Sequence, residues 1–302
     1  MIPDRRELVL VTKEDFEQQL NVKIHLESEV VAINREHKFV TVKDLVNDKV
    51  YEESYTHLVL SPGGYSIKPH LPGINDRRIF TSRTLDDMDA IKKLIDERKP
   101  KKAVVLGAGF VGLEVAENLH NLGLMVSIVE FSNQVMNLLD YEMASFIHHH
   151  QHSKNIELFL NDGVKEFKGS DKQLHVILQS GRTIKTDMAI LAMGIKPEVK
   201  LAREAGLALG EYGGIKVDEF MCTNDSLIYA LGDATEIVDT VSGHNLLVPL
   251  ANSAHKQGRI IADNICGAEA KYKGTPGTLI VKVFDMAVAM TGNSEKQLLK
   301  QK

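Results

Sequence analysis

Three glycines, Gly107, Gly109 and Gly112, follow an apolar run and open an amphipathic stretch, a spacing typical of a diphosphate-binding turn. Gly107 permits the tight turn, Gly109 lets the backbone approach a diphosphate, and Gly112 lets a helix pack closely on the preceding strand. The first helical residues, Phe110 and Val111, would offer free N–H groups and the positive end of the helix dipole to the phosphates. The pattern predicts a dinucleotide site, with a chance glycine-rich turn as the alternative.

An acidic residue, Glu130, follows the next predicted strand, residues 126–129, about twenty residues after the glycine turn. A carboxylate there accepts hydrogen bonds from the adenosine ribose and repels a 2′-phosphate. Residues 131–133 supply no arginine that would reverse this repulsion. The spacing therefore favours NADH over NADPH, and the alternative is a glutamate at a strand end that faces solvent.

Other polar residues allow a functional and a structural interpretation. Asp233 follows an apolar strand at residues 227–231, where α/β proteins bind ligands, but the same residues fit a plain strand-to-turn signal. Glu114, on the predicted cofactor helix, either points into a cleft or favours the helix dipole. His148 and His152 have metal-ligand spacing but no acidic or cysteine partner, so a solvated helix end is the preferred interpretation and no metal site is expected.

Composition describes an ordinary globular protein. The 302 residues carry 43% hydrophobic and 25% charged residues and a net charge of −5, which gives no electrostatic reason to expect nucleic acid or an anionic membrane as partner. No apolar run is long enough to span a bilayer. The two cysteines, Cys222 and Cys266, form no CxxC pair, so a reducing cytoplasm is expected.

The chain is longer than one comfortable core, and its pattern changes along its length. Strands predominate up to residue 100, helices and strands alternate from residue 101 and give way to a β-meander, and a new strand-rich unit begins at residue 272. The expected segments are 1–100, 101–214, 215–271 and 272–302, in an α/β fold.

Several separated motifs, in this order, resemble the flavin-dependent pyridine nucleotide-disulfide oxidoreductases. They are residues 55–63, which end in Ser-Pro-Gly, residues 107–117, residues 193–198, and residues 223–233 with 248–251 beyond. Residues 281–285 resemble the opening of the family's C-terminal interface domain. The branch that looks most similar contains coenzyme A-disulfide reductases, NADH oxidases and persulfide reductases.

The resemblance implies a Rossmann-like NAD(P)-binding domain inserted in an incomplete FAD-binding domain, followed by the start of an interface domain. Segments 1–100 and 215–271 would form the FAD domain and 101–214 the NAD(P)H domain. By the same resemblance, the flavin would lie near two groups of residues: Ser61, Pro62 and Gly63, and Asp233, Leu250 and Ala251. Gly194 would line the nicotinamide site, with Glu114 near the nicotinamide–flavin contact.

The family's first strand, its FAD-diphosphate loop and its reactive cysteine have no counterpart in this sequence. We therefore expect a truncated oxidoreductase that binds NADH, with no catalytic residue assigned, for which FAD binding is in question unless a homodimer or complementing chain completes it. The alternative is a non-catalytic NADH-binding module or orphan fragment.

Overall fold

The computed structural model describes residues 11–171 and 173–300. The helices are α1 Lys13–Leu20, α2 Leu85–Arg98, α3 Phe110–Asn121, α4 Tyr141–Ser153, α5 Lys200–Glu204, α6 Ala251–Ile265 and α7 Glu295–Lys300, with a 3-10 helix at Gly232–Ala234. The strands up to the middle of the chain are β1 Ser28–Asn34, β2 Phe39–Asp44, β3 Lys49–Ser54, β4 Leu58–Leu60, β5 Gly64–Ser66, β6 Ile79–Phe80, β7 Lys102–Leu106, β8 Met125–Val129, β9 Glu157–Phe159 and β10 Val164–Gly169. The remaining strands are β11 Leu174–Leu178, β12 Thr183–Thr186, β13 Met188–Leu191, β14 Ile195–Pro197, β15 Ile215–Lys216, β16 Ile228–Ala230, β17 Thr235–Val238, β18 Asn245–Leu247, β19 Leu279–Val283 and β20 Met286–Met290.

The chain divides into two compact units. Among the described residues, unit 1 comprises residues 66–171, 173–195 and 278–300, and unit 2 comprises residues 11–65 and 196–277. The residues of unit 1 up to 195 are therefore inserted in the chain of unit 2, as the family resemblance implied for the segment with the glycine turn.

A five-stranded parallel sheet with the order β6-β13-β7-β8-β9 forms the centre of unit 1. The apolar run of β7 is buried on both faces, which explains why it shows no polar alternation. Ala103 and Val105 belong to the core that contains residues of α3 and α4. Val104 and Leu106 belong to a second core with the antiparallel meander β10-β11-β12.

Unit 2 contains smaller sheets. Strands β1, β2 and β3 form an antiparallel sheet, and the β1–β2 hairpin agrees with the sequence-based expectation. Strand β4 pairs in parallel with β16, in the register Leu60↔Ala230. Strand β17 joins β15 and β18, and α6 buries Ser253, Gln257 and Ile261 along one face. In the described part of the chain, β4 and β16 form a sheet of two strands.

The unit boundaries fall at residues 65/66 and 195/196, whereas the sequence-based segments change at 100/101 and 214/215. The observed boundary at 65/66 precedes the expected one at 100/101 because β6 pairs with β13 and because α2 contributes Ile91 to the core of unit 1. The expected junction at Lys101 is held within unit 1, since the amides of Lys101 and Lys102 donate to Asp187 Oδ2 at 2.8 and 3.0 Å. The observed boundary at 195/196 precedes the expected one at 214/215; in the intervening region, β15 pairs with β17 of unit 2.

The β19–β20 hairpin was expected to begin a separate unit, but it packs within unit 1. Val281, Val283 and Phe284 join the same core as α3 and α4. The amide of Phe284 donates to Glu117 Oε2 at 2.6 Å, and Asp285 pairs with His150 Nε2 at 2.8 Å. Apolar burial and these polar contacts together fasten the hairpin to two helices.

Within the described chain, no helix combines the length and apolar character needed to cross a lipid bilayer.

The Phe284→Ala variant should lower the free energy of unfolding by about 3–5 kcal/mol, because its ring is 8% exposed and packs against His120 and His150. Denaturant unfolding of the full chain, followed by circular dichroism, measures this change. The control is Ile280→Ala in the same hairpin, whose side chain is 76% exposed and whose loss should change stability little. Equal effects of the two variants would show that the hairpin does not belong to the core of unit 1.

Candidate functional site

The glycine turn lies at the carboxyl end of β7. Each of its three positions favours glycine for a different structural reason. Gly107 adopts φ +106°, and a Cβ there would overlap the carbonyl oxygen of Ala192. A Cβ at Gly112 would overlap the carbonyl of Gly107. A Cβ at Gly109 would meet no protein atom within 4 Å. Gly107 and Gly112 are therefore required by packing, whereas Gly109 leaves a space that a side chain would fill.

Helix α3 begins in that space with unsatisfied amides. The backbone of Gly109 is extended at the N-cap, and no side chain caps the helix. The first intrahelical bond runs from Leu113 N to Gly109 O at 3.0 Å. The amides of Phe110, Val111 and Gly112 precede this bond and are available to an anion.

Glu130 lies beside the glycine turn, as its spacing predicted. Its Oε2 accepts a hydrogen bond from the amide of Ala108 at 2.8 Å, and its Oε1 accepts one from Ser132 at 2.8 Å. The amide of Gly107 donates to Val129 O, also at 2.8 Å, which ties the same two strand ends together. The carboxylate is thus oriented by backbone groups at the carboxyl ends of β7 and β8.

Residues 192–194 approach the same turn from β13. The amide of Ala192 donates to Leu106 O at 2.8 Å, and Gly194 is exposed with φ +91°. Glu114 is exposed on α3. Within unit 1 the structure therefore brings the glycine turn, Glu130 and the 192–194 segment together, while the nicotinamide roles of Gly194 and Glu114 stay predictions.

A second group of predicted residues meets in unit 2, at the carboxyl ends of β4 and β16. The amide of Leu231 donates to Leu60 O at 3.0 Å, so Ser61 and Gly232 follow neighbouring strand ends. A Cβ at Gly232, where φ is +78°, would lie 3.7 Å from Ser61 Oγ and 3.8 Å from Ala254 Cβ. Pro62 is exposed and Gly63 is half-buried, at φ +73°.

Asp233 lies on the 3-10 helix after β16 and is half-buried. Its carboxylate makes no hydrogen bond or ion pair with any residue that the structure describes. Helix α6, whose Ala254 lies beside Gly232, begins with Leu250 as N-cap and without a side-chain cap, so the amides of Ala251 and Asn252 are free. Unit 2 therefore also presents a carboxylate and an uncapped helix start.

In the histidine cluster of α4, His148 makes a hydrogen bond within the protein. His148 Nε2 accepts from the amide of Val135 at 3.1 Å, and burial, together with His152 and His149, lowers the pKa of His148. The structure contains, among its described residues, no group of three or more potential metal ligands. His148 is thus a half-buried acceptor rather than part of a solvated helix end.

Cys222 and Cys266 are free thiols. Desolvation by burial, with Asp218 and Asp225 nearby, raises the pKa of Cys222, which disfavours the reactive thiolate.

Two residues that position these sites were not identified from the sequence. Ala108 supplies the amide that holds Glu130, and its side chain shows no chemistry that would reveal this role. Gln257 is 1% exposed, and its Oε1 accepts from the amide of Gly232 at 2.8 Å. Its signal in the sequence is its position on the buried face of α6, between Ser253 and Ile261.

Comparisons with known proteins show the family of this chain. The model of the pyridine nucleotide-disulphide oxidoreductase family matches residues 3–258. The coenzyme A disulfide reductase of Staphylococcus haemolyticus is 35% identical over 99% of this chain and 66% of its own length.

Two solved structures extend the comparison. Reduced Bacillus anthracis CoADR-RHD is 46% identical, with a TM-score of 0.95 over 98% of this chain and 53% of that chain. A water-forming NADPH oxidase, engineered from the Lactobacillus brevis NADH oxidase, is 28% identical, with a TM-score of 0.91 over 99% of this chain and 66% of that chain.

The chain thus spans just under two thirds of the curated relative and about half of the Bacillus protein. Because the family model covers most of this chain, and because its glycine turn and strand ends have the geometry described above, the chain belongs to the pyridine nucleotide-disulphide oxidoreductase family.

Proposed function

We propose that this chain binds NADH at the glycine turn of unit 1 and FAD at the Ser61–Asp233 edge of unit 2, as part of a disulfide reductase or NADH oxidase. Members of the family are FAD- and NAD(H)-dependent oxidoreductases. The flavin, when bound, supplies the redox chemistry by accepting a hydride from NADH and passing electrons to a disulfide, a persulfide or oxygen. The protein contributes binding, orientation and electrostatics.

The observation that carries the proposal is the empty space at Gly109 in front of three free amides. A diphosphate in that space accepts hydrogen bonds from the amides of Phe110, Val111 and Gly112 and interacts favourably with the helix dipole. No first-turn acidic side chain occupies this position. The residues present therefore fit a dinucleotide diphosphate.

The second site fits a flavin through different groups. The free carboxylate of Asp233 is placed to accept hydrogen bonds from the hydroxyls of a ribityl chain. The free amides of Ala251 and Asn252 are available to polar atoms of the ring system, and Ser61 to Gly63 line the neighbouring strand end. Gln257 holds Gly232, and so fixes the turn that carries Asp233.

Glu130 supports the preference for NADH. The engineered NADPH oxidase replaces a glycine by alanine, an aspartate eighteen residues later by alanine, and the residue after that aspartate by arginine. In this chain the same spacing leads from Gly112 to Glu130, and Phe131 follows. The relative that binds NADPH thus lost a negative charge and gained a positive one at this position, as expected if Glu130 repels a 2′-phosphate.

A homodimer or a complementing chain and a cytoplasmic location remain further parts of this proposal.

The Gly109→Val variant should lose at least about tenfold in NADH affinity while its melting temperature changes little, because the new Cβ meets only the space proposed for the diphosphate. Calorimetry with NADH measures the affinity. Gly107→Ala should instead destabilise unit 1, since its Cβ would overlap Ala192 O. Gly258→Ala, where the Cβ also meets open space but on α6, is the control that should bind NADH normally. Unchanged affinity of Gly109→Val would place the diphosphate elsewhere.

The Glu130→Ala variant should weaken NADH binding by about 1.5–3 kcal/mol, the usual contribution of hydrogen bonds to a charged group, and should strengthen NADPH binding relative to NADH. The measurement is the ratio of the two dissociation constants. Glu130→Gln keeps an acceptor for one backbone amide, so it separates lost charge from a disturbed turn. An unchanged ratio in both variants would show that Glu130 does not select the cofactor.

Absorbance spectroscopy tests the flavin part of the proposal. After incubation with FAD and removal of unbound FAD by gel filtration, the purified chain should show a stoichiometric yellow flavin spectrum that NADH bleaches in the absence of oxygen. Asp233→Ala should bind FAD about tenfold more weakly, whereas Asp263→Ala, an exposed carboxylate on α6, should bind it normally. A chain that stays colourless yet binds NADH would support the alternative, a non-catalytic NADH-binding module.

A further inference from the structure

The Met136 loop, residues 134–139 between β8 and α4, lies against the glycine turn. The amide of Met136 donates to Ala108 O at 2.8 Å, and the amide of Ala108 in turn donates to Glu130 Oε2. Val135 is 0% exposed and Met136 is 2% exposed, so this part of the loop is buried. The Met136 loop therefore supports the residue that orients Glu130.

The loop contains a residue in an unfavourable backbone conformation. Met136 adopts φ +46°, in the left-handed region that residues with a side chain rarely occupy. Two hydrogen bonds close the loop on itself, from Leu139 N to Met136 O at 2.9 Å and from Gln134 Nε2 to Leu139 O at 2.8 Å. Such a conformation persists only where the surrounding structure fixes it. Contacts with neighbouring elements therefore decide whether the loop keeps this shape.

His148 of α4 supplies one of these contacts. Its Nε2 accepts from the amide of Val135 at 3.1 Å, one residue before the amide that binds Ala108. An imidazole accepts at Nε2 only when it is neutral and carries its proton on Nδ1. Protonation of Nε2 would take the acceptor away from a buried amide, which is unfavourable.

The groups around the ring favour its neutral form. Burial, with His152 and His149 on the same helix, lowers the pKa of His148. The ring of Tyr141 meets that of His148 edge-on, with centroids 6.0 Å apart. The acceptor therefore stays unprotonated at a lower pH than an exposed imidazole would.

The charged group of the loop side is engaged elsewhere. Asp140 is the one charged residue of the segment 131–140, and its carboxylate accepts from the amides of Glu295 and Lys296 of α7 at 3.0 and 3.2 Å. Lys296 Nζ donates to Asn137 Oδ1 at 3.0 Å. The Asp140 carboxylate is thus held at α7, and His148 acts on the loop through its bond with Val135.

We propose that neutral His148 is a positioning residue of the dinucleotide site and makes its affinity depend on pH, an inference that rests on the proposed binding of NADH at the glycine turn. Its bond to Val135 fixes the Met136 loop. The loop in turn holds Ala108, whose amide orients Glu130. A proton on His148 breaks the first of these bonds and loosens the support of the glycine turn.

The direction of the pH effect follows from this linkage. A ligand that needs the neutral ring binds best above the pKa of His148 and loses affinity as the pH falls through that pKa. One proton is involved, so the dissociation constant rises by at most about tenfold per pH unit. Because burial lowers this pKa, the loss lies on the acid side of the ordinary histidine range.

Calorimetry with ADP-ribose between about pH 8 and about pH 5 tests the proposal. This ligand keeps the diphosphate and the adenosine ribose and, unlike NADH, is stable to acid. The unsubstituted chain should bind it progressively more weakly towards pH 5. His148→Gln keeps an acceptor but does not titrate, so its affinity should vary little with pH. His148→Leu, which lacks the acceptor, should bind about tenfold more weakly than His148→Gln at about pH 8.

The matched control is His149→Gln. His149 is exposed, and its Nδ1 lies 2.9 Å from Ser145 O of its own helix, so this variant should keep the pH dependence of the unsubstituted chain. NMR of the chain with ¹⁵N-labelled histidine gives a second readout, since the signal that His148→Gln removes should show a proton on Nδ1 at about pH 8.

Three results would overturn the role of His148 while dinucleotide binding stands: an affinity of the unsubstituted chain that does not change with pH, an equal pH dependence in His148→Gln, or a neutral ring protonated on Nε2. If the unsubstituted chain releases no heat with NADH or ADP-ribose at about pH 8, both this role and the proposed function are overturned.

Discussion

Close packing of three backbone segments is the constraint on which unit 1 depends. The turn after β7, the start of α3 and the end of β13 meet so closely that a Cβ at Gly107 or Gly112 would overlap carbonyl groups of Ala192 or Gly107. This approach fixes where α3 begins relative to the sheet. It therefore also fixes where the free amides of the first turn lie, at the edge where parallel strands end.

Glu130 adds an electrostatic constraint to this packing. Each carboxylate oxygen already accepts one backbone amide, from Ala108 or from Ser132. An ionised carboxylate has about four acceptor positions, so these bonds orient it and leave others for ribose hydroxyls. At the proposed NADH site this negative charge would interact unfavourably with the diphosphate, and the dipole and free amides of α3 would offset that interaction. A third phosphate at the ribose would lack that compensation.

Local patterns account for the parts of the fold that the sequence predicted well. The strand–glycine–helix–strand run from β7 to β8 was predicted within one or two residues, because turn chemistry and amphipathic spacing both lie in short windows. Strand β6, with two residues, carries no pattern, and its pairing with β13 is non-local, so the unit boundary near residue 65 was not predicted. Helix α1 was missed because it is short and buries no residue, so only Phe16 and Leu20 mark one face of it. The spacing placed Glu130 at the end of β8 beside the glycine turn, where it accepts from the amide of Ala108, and its role in binding stays a prediction. Gln257 could not be identified because it acts through a contact that only the folded chain creates.

The two candidate sites share one physical arrangement, but they differ in how many hydrogen bonds within the protein orient the carboxylate. In both units a carboxylate and a glycine at positive φ follow parallel strands, and the same unit contains a helix that begins without a side-chain cap. In unit 1 the carboxylate of Glu130 is held by backbone amides before any ligand arrives, so little ordering remains when a ribose binds. In unit 2 the carboxylate of Asp233 has no partner among the described residues, and only its turn is fixed, through Gln257 and Gly232. At the proposed flavin site a ligand would have to order that side chain, and this cost lowers the net contribution of Asp233 to binding.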